Sequence, residues 1–470
     1  MDVFAQHRTW RRGARLALSQ LVCLGRHRGT GRLCTAGRVD VDWSADYRFF
    51  SQDRWRASEL FRPILRGVTE LSGPSDAVVT ALDDTHLRKT GTKIPGVGYR
   101  RDPLSPAFHT NFIRAQRFLQ MSVLVRAEQV PGPARAIPIL FEHVPPVPKP
   151  RPSASPEERK AYRQRRRREN LSTAGVAAIT RTRWELDQDP LAKDRLLVVG
   201  VDGSYTNKTV LQGLPPRTTL IGRIRKDAQL FHLPTAQDQS PRGTRRQYGR
   251  AAPTPDQLRQ DDATEWQEVR AFAAGKLHTF RVKTISPVLW AKAGARRSLR
   301  LVVIAPVGYR LRAGGKLLYR QPAYLISTDL DLPLATVVQD YLWRWDIEVN
   351  HRDEKQIIGV GEAQVRSPQS VDRDPAFAVA AYAALLLAAI HIYGLPGKEV
   401  NLPVPKWRAH KPRLRPTTQD LIQQLRRELW GQALRQLEDS SHFASVAHAD
   451  TKCPEIHLPL AAAVLYASTG

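Results

Sequence analysis

The 470-residue sequence is poor in several things, and each shortage excludes something. It has three cysteines, Cys23, Cys34 and Cys453, an odd number without C-x-x-C spacing. That supports neither a disulfide framework nor a zinc site and fits a reducing compartment. Acid is scarce: 45 Asp and Glu face 72 Lys and Arg, for a net charge of +27. Such a field suits a polyanion, nucleic acid first, although an Arg-rich proteome leaves a similar imprint. No G-x(4)-G-K-[ST] loop, H-E-x-x-H or G-x-S-x-G occurs, so ATP-driven, zinc-protease and serine-hydrolase readings lack support. There is no internal repeat. Long apolar runs are nearly absent. The N-terminal one is short and is followed at once by Arg26, His27 and Arg28, which predicts an amphipathic helix rather than a cleavable signal. Only AFAVAAYAALLLAAIHIY (376–393) is long enough to cross a bilayer. It is mostly alanine, follows Asp374-Pro375 and stops at Gly394, which predicts a buried core helix and no membrane partner.

What is present is concentrated in YLWRWDIEVNHRDEK (341–355). On one continuous helix, Tyr341, Arg344, Glu348 and Lys355 fall within about 60° of each other. Asp346 falls near the opposite side and Arg352 beside the stripe. One carboxylate among basic partners suits an acid holding a divalent cation and bases holding phosphates, although a salt-bridged exposed helix has similar patterning. Two other segments add carboxylates. LLVVGV (196–201) reads as a buried strand and ends on Asp202, and VVTALDDT (78–85) is an apolar run ending on Asp83 and Asp84. Acids at the carboxyl ends of buried strands stand where open α/β sheets carry chemistry, although either could instead cap a turn or helix. Three convergent carboxylates can hold two divalent ions about 3.5–4 Å apart around a scissile phosphate.

With these segments the chain resembles the DDE transposases of bacterial insertion sequences, in the subgroup with a Y-x(2)-R-x(3)-E-x(6)-K signature. Tyr341, Arg344, Glu348 and Lys355 match it without a gap. ALDDTHLRKTG (81–91) is similar to the family's first-aspartate block and VVGVDGSYTN (198–207) to its second. VCLGRHRGTGRLCTAG (22–37) and DWSADYRFFSQDRW (42–55) resemble its helical opening region. The resemblance implies an α/β fold: a ribonuclease H-like mixed sheet flanked by helices, with a helical N-terminal domain and a mostly β insertion before the catalytic helix. It implies Asp83, Asp202 and Glu348 as metal ligands for two Mg2+ ions, with Mn2+ as substitute. Adjacent strand residues face opposite sides, so Asp84 stays open as the alternative. Asp83 is favoured because Thr85 and Leu87 then fall where the family has a hydroxyl and an apolar residue. Tyr341, Arg344 and Lys355, and less directly Arg352, would grip phosphates. The implied partners are double-stranded DNA (terminal inverted repeats and target) and a second copy of the chain, in a bacterial, nucleoid-associated cytoplasmic setting. The alternatives are an inactive, transposase-derived DNA-binding protein and a metal-dependent endonuclease that does not join.

Composition divides the chain. Residues 1–70 read as small helices for DNA binding and assembly. Residues 71–225 read as the first part of the core, with a Pro-rich linker near 144–156. The helical stretch 157–186 opens with a basic run, and Arg165, Arg166, Arg167 and Arg168 are expected at a DNA backbone or, failing that, on a solvated face. Residues 226–322 contain alternating or apolar β-branched runs and read as the insertion. Trp290 and Tyr319 there are candidates to stack on a flipped base, against a plainer reading as core or hairpin aromatics. Residues 323–397 complete the core. Residues 398–470 read as a basic linker, a capped helix at 417–437 and a weakly patterned end.

Overall fold

A computed structural model describes residues 3–400, apart from 74–75, 103–104, 107, 129, 239–244, 294–296 and 313, together with residues 414–437. Cys453, most of the basic linker and the last thirty residues lie outside these. The chain opens with helices α1 (His7–Val22), α2 (Gly29–Thr35), α3 (Ser44–Ser51) and α4 (Arg62–Thr69). Their aromatic side chains Phe49, Phe50 and Trp55 are buried. Phe49 and Phe50 each meet Phe377 edge-on at 5.4 Å between ring centroids, a geometry that aromatic quadrupoles favour. Arg32, almost fully buried, donates to both carboxylate oxygens of Asp374 at 2.6 and 3.0 Å. The helical opening is thereby tied to the later half of the chain.

The β-branched and apolar runs then build the sheet. β1 (Val78–Arg88), β2 (Gly98–Arg101), β3 (Phe112–Arg126) and β4 (Ala134–His143) precede the helices α5 (Pro156–Arg168) and α6 (Leu171–Gln188). β5 (Leu197–Val201), α7 (Lys208–Gln212) and β6 (Thr218–Arg223) follow. Next come β7 (Leu230–Phe231), β8 (Ala251–Ala252), α8 (Pro255–Gln260), β9 (Gln267–Ala273), β10 (Lys276–Trp290), β11 (Leu299–Ile304), β12 (Gly308–Tyr309), β13 (Leu318–Tyr319) and β14 (Ala323–Ser327). Twelve strands form one sheet in the order β2-β3-β1-β5-β6-β14-β11-β10-β7-β8, with β4 on β3 and β9 on β10. β5 runs parallel to β1 and β6 parallel to β5, while β1, β3 and β4 form an antiparallel meander. The result is a large mixed sheet flanked by helices, consistent with the ribonuclease H-like expectation. Residues 226–322 hold β7 to β13 and the short helix α8, and their long strands β9, β10 and β11 continue the same sheet, joined to β6 through β14, which pairs with β6 on one side and β11 on the other. An unpaired β6 edge would expose a row of amide and carbonyl groups, and this pairing removes it.

The last helices are α9 (Leu334–Trp343), α10 (Asp346–Gln356), α11 (Pro368–Tyr393) and α12 (Thr418–Leu437). α11 is apolar and long enough to cross a membrane by composition. It packs on β4, α1, α3 and α4 with Ala376, Val379, Tyr382 and Ala383 buried, as a core helix would. The expected single helix over 341–355 is corrected. The backbone stays right-handed through Arg344 and Trp345, but the bonds tighten there: the amides of Trp345, Ile347 and Glu348 donate three residues back, to Leu342, Arg344 and Trp345. Such a 3₁₀-like junction shortens the turn and shifts the helical phase. α5 has no buried residue, and its last turn holds Arg165 to Arg168. Cations at that end also complement the helix dipole.

Candidate functional site

Sheet register decides which carboxylates meet. β1 and β5 pair Ala81 with Gly200 and Leu82 with Val201. Asp83 and Asp202 are the next residues along each chain segment, so they stand side by side where β5 ends. The expectation that both acids close a strand is corrected, since β1 runs on past Asp83 to Arg88, paired with β3. Side chains alternate between faces. Val79, Ala81, Val198 and Ile221 belong to one core with Val337, Val338, Tyr341 and Ile347 of α9 and α10. Val78, Leu82, Val199 and Val201 belong to the other, with Ile179 of α6 and Tyr205. Asp83 therefore shares a face with the helix pair and Asp84 points to α6. The contacts agree. Asp83 Oδ2 lies 3.6 Å from Arg344 Nη1. Asp84 accepts from the Tyr205 hydroxyl at 3.1 Å and pairs with Arg117 Nε at 3.1 Å.

The Arg344 stem lies directly over β5, where a Cβ on Gly200 would meet its Cβ and Cγ in ordinary contact at 3.5 and 3.6 Å. A Cβ on Gly175 of α6 would come within 2.9 Å of the Tyr205 ring. That is closer than side chains tolerate, and glycine lets α6 press Tyr205 into the core. Asp202 is turned by its own loop: Ser204 donates to it through its amide at 2.8 Å and its hydroxyl at 3.2 Å, an Asx-turn.

Arg344 is the hinge of the other side. It is 4% exposed and bridges Asp83 and Glu348, whose Oε1 lies 3.4 Å from its Nη2. Its guanidinium also lies over the rings of Tyr341 and Trp345, at 5.5 and 5.6 Å from their centroids. Tyr341 is buried beneath it, which makes the ring a support for the guanidinium. Trp345 is 55% exposed at the mouth. Sequence reasoning passed over Trp345, Tyr205 and Arg117. The signal for the first was an aromatic inside the signature itself. Lys355, at the end of α10, is exposed and close enough to feel the charges of Asp83 and Asp84.

The electrostatics are those of carboxylates short of counter-charge. Burial raises the Asp83 pKa to about 7, and the Asp202 charge adds to the rise while Arg344 opposes it. Burial also raises Glu348, opposed by Arg344. Burial raises Asp84 too, but Arg117 and the Tyr205 hydrogen bond pull it back. A divalent cation between Asp83 and Asp202 would relieve the repulsion that raises Asp83, so the donor set fits one. Among the described residues no three His, Cys, Asp or Glu side chains close on a single ion, and Arg344 stands between Asp83 and Glu348. Bringing Glu348 to a shared metal therefore requires this guanidinium to swing.

The remaining candidates sit apart. Arg352 is exposed and pairs with Asp353 at 2.8 Å. Arg165 pairs with Glu169 on the isolated surface of α5. A groove of about 1060 Å³ opens beside Asp202, walled by Arg223, Arg225, Lys226, Lys292, Trp290 and Tyr324. Trp290 is 8% exposed there and Tyr319 is 65% exposed on a short hairpin.

No curated protein matches the chain. The family profile described as DDE superfamily endonuclease matches residues 2–297. That is more than half of the chain; it includes Asp83 and Asp202 and stops before the helix pair that carries Glu348. A matched region that spans the helical opening, the meander and the neighbouring Asp83 and Asp202 shows that this chain belongs to the DDE superfamily endonucleases.

Proposed function

We propose that the protein is an insertion-sequence transposase that cuts DNA at the ends of its own element and joins them to a target. Membership of the family makes it a DNA endonuclease of the divalent-metal-dependent type. The finer reading rests above all on Asp83 and Asp202 side by side on neighbouring parallel strands, where β5 ends, beneath Arg344 and Glu348. In it, Asp83, Asp202 and Glu348 hold Mg2+, and the ions, when bound, supply Lewis-acid charge at the scissile phosphate. The side chains do the rest. Arg344, stacked between Tyr341 and Trp345 and freed from the carboxylates, offers a planar fork to a phosphate. Lys355 adds a point charge. Asp84 takes no metal and holds the strand end to Tyr205. The basic groove beside Asp202 and the arginines of α5 attract the backbone. Water attacks first and releases a 3′-hydroxyl, which then attacks the target phosphodiester. Two ends must be held together, so the working form is a dimer, in the compartment that holds the DNA.

The test uses purified full-length protein, Mg2+ or EDTA, and a duplex carrying the DNA that borders its own gene. Metal-dependent cleavage and joining are scored separately. The expected result is both. Cleavage without joining leaves an endonuclease; metal-independent binding alone leaves a DNA-binding descendant and sinks the catalytic reading.

A further inference from the structure

β3 runs far beyond the candidate site. Its pairing with β1 sets Gln120 opposite Asp83, and its pairing with β2 sets Arg114 opposite Tyr99 and Phe112 opposite Arg101. At about 3.3 Å per residue, Phe112 lies roughly 26 Å past Asp83 along the strand, on the carboxyl side of β1. Facing residues of an antiparallel pair share a side, and alternate residues of a strand do too. Tyr99, Arg101, Phe112 and Arg114 therefore make a patch in which ring faces cation and cation faces ring. Continuing the alternation from Gln120 puts this patch on the face that carries Asp83, as that face turns with the strand twist.

The patch is open. Tyr99 is 75% and Phe112 65% exposed, and Phe108 at the tip is 92% exposed. Phe108 and Tyr99 are the two most exposed aromatic side chains among the described residues. The guanidinium of Arg114 is braced by the Thr90 and Gly91 carbonyls, each at 3.3 Å. The acid at the ribbon, Asp102, is 2.8 Å from Arg88. Burying such rings in the protein would stabilise it, yet they stand in water at the end of a two-stranded ribbon.

We infer that this ribbon is a DNA-contact surface that grips the duplex beside the cleaved phosphate. The inference rests on the transposase reading above and adds a surface to it. A two-stranded ribbon fits a groove of duplex DNA. Its arginines meet phosphates, and its rings press against sugars and base edges or wedge between base steps. A patch with two arginines on a chain of net charge +27 is a poorer match for a second, like-charged copy than for a polyanion. Its reach corresponds to about eight base pairs of duplex.

The experiment compares the full-length protein with Tyr99→Ala/Phe112→Ala, Arg101→Ala and the ring-preserving pair Tyr99→Phe/Phe112→Tyr. The probe is a fluorescein-labelled 60-bp duplex from the border of its gene, titrated by anisotropy across a salt series. The double alanine variant should bind roughly tenfold or more weakly with an unchanged salt slope, since loss of stacking is not loss of charge. Arg101→Ala should flatten the log–log slope by about 0.9. The ring-preserving pair should bind as the parent does. Equal Tm values certify the fold, which these exposed positions should not disturb. Parental affinity in the double alanine variant overturns the inference. So does parental affinity with lost self-association in ultracentrifugation, which would make the patch an interface between copies. If the parent binds without cleaving while the ribbon variants bind weakly, the catalytic reading fails and the ribbon contact stands. If the parent cleaves and the ribbon variants bind normally, only the ribbon contact fails.

Discussion

The two faces of β1, where it runs past the end of β5, carry neighbouring aspartates in opposite circumstances. On one face Asp83 stands beside Asp202 and shares the buried Arg344 guanidinium with Glu348. On the other, Asp84 meets Arg117, which also donates to His86, and the Tyr205 hydroxyl. On the first face burial raises Asp83 to about 7, and the neighbouring Asp202 charge adds to the rise. On the second burial raises Asp84 as well, but there Arg117 and the Tyr205 hydrogen bond oppose it. Unneutralised carboxylates are a poor way to hold a fold together and a good way to attract a divalent ion; a satisfied one does the reverse. The same residue type, one position apart, thus meets a second carboxylate on one face and a guanidinium and a hydroxyl on the other.

Exchanging the two aspartates in turn breaks this contrast most directly. Asp83→Asn, Asp202→Asn and Glu348→Gln should each lower single-turnover cleavage by at least about a thousandfold, since loss of a metal-holding carboxylate removes several kcal/mol of transition-state stabilisation. DNA affinity should hold, and the Tm increment produced by Mg2+ should shrink or vanish. Asp84→Asn should keep that increment and most of the rate. Equal damage from Asp83→Asn and Asp84→Asn would erase the distinction between the faces.

Arg344 comes next. Arg344→Ala should slow cleavage of pre-bound DNA by about a hundredfold, as expected when a fixed cation at developing charge is removed. Arg344→Lys should restore only part, because the planar fork and its stacking on Tyr341 and Trp345 go with the guanidinium. Full rescue by lysine would mean that only the charge matters.

On the Asp84 face the effects should be smaller. Tyr205→Phe removes one hydrogen bond to Asp84, worth about 1–1.5 kcal/mol. It should raise the Mg2+ concentration needed for half-maximal cleavage several-fold while sparing the rate at saturating metal. A fall in the saturated rate with unchanged metal demand would assign Tyr205 to the chemistry instead. Away from both faces, neutralising Arg165 to Arg168 should weaken binding to any duplex alike, flattening the salt slope by about 0.9 for each phosphate that no longer meets a cation. An unchanged slope would leave α5 as a solvated helix whose arginines serve its dipole.

The smallest effect concerns Glu354 on α10. It is fully buried, both carboxylate oxygens lack hydrogen-bond partners, and burial raises its pKa to about 8. In the unfolded chain it titrates near 4.5. Between those values the folded state holds the proton and the unfolded state does not, so stability falls as pH rises from about 4.5 to 8. Glu354→Gln should flatten that part of the Tm–pH curve and raise Tm at pH 8. A curve parallel to the parent's would show that the carboxyl finds a partner when ionised.

Much of this was legible without coordinates. The runs 78–85 and 196–201 announced buried strands because β-branched residues bounded by Asp-Gly or paired aspartates have few other uses. The capped helix at 417–437 was legible in the same way: Thr417 Oγ1 accepts from the Asp420 amide at 3.2 Å. The stripe on 341–355 was half legible. Its residues do converge, but through a tightened junction that no periodicity encodes, and Tyr341 turned inward because the apolar face of α9 lies against β5 and β6. β6 and β9 went unseen, since short strands have weak patterns.

The sequence by itself determined the chemistry on offer: acids following apolar strand runs, a basic surplus, and one motif in which an arginine, a glutamate and a lysine recur at helical spacing. These follow from residue type and local period, which a chain carries along its length. It could not decide between Asp83 and Asp84, because either face of β1 could have met the helix pair. Only the tertiary structure put Asp83 on the side of the helix pair and Asp84 on the other, through the parallel register of β1 with β5 and the docking of α9 and α10 on the Gly200 face. Which side of a strand becomes the site is a property of what packs on it, and packing is settled between segments far apart in the chain.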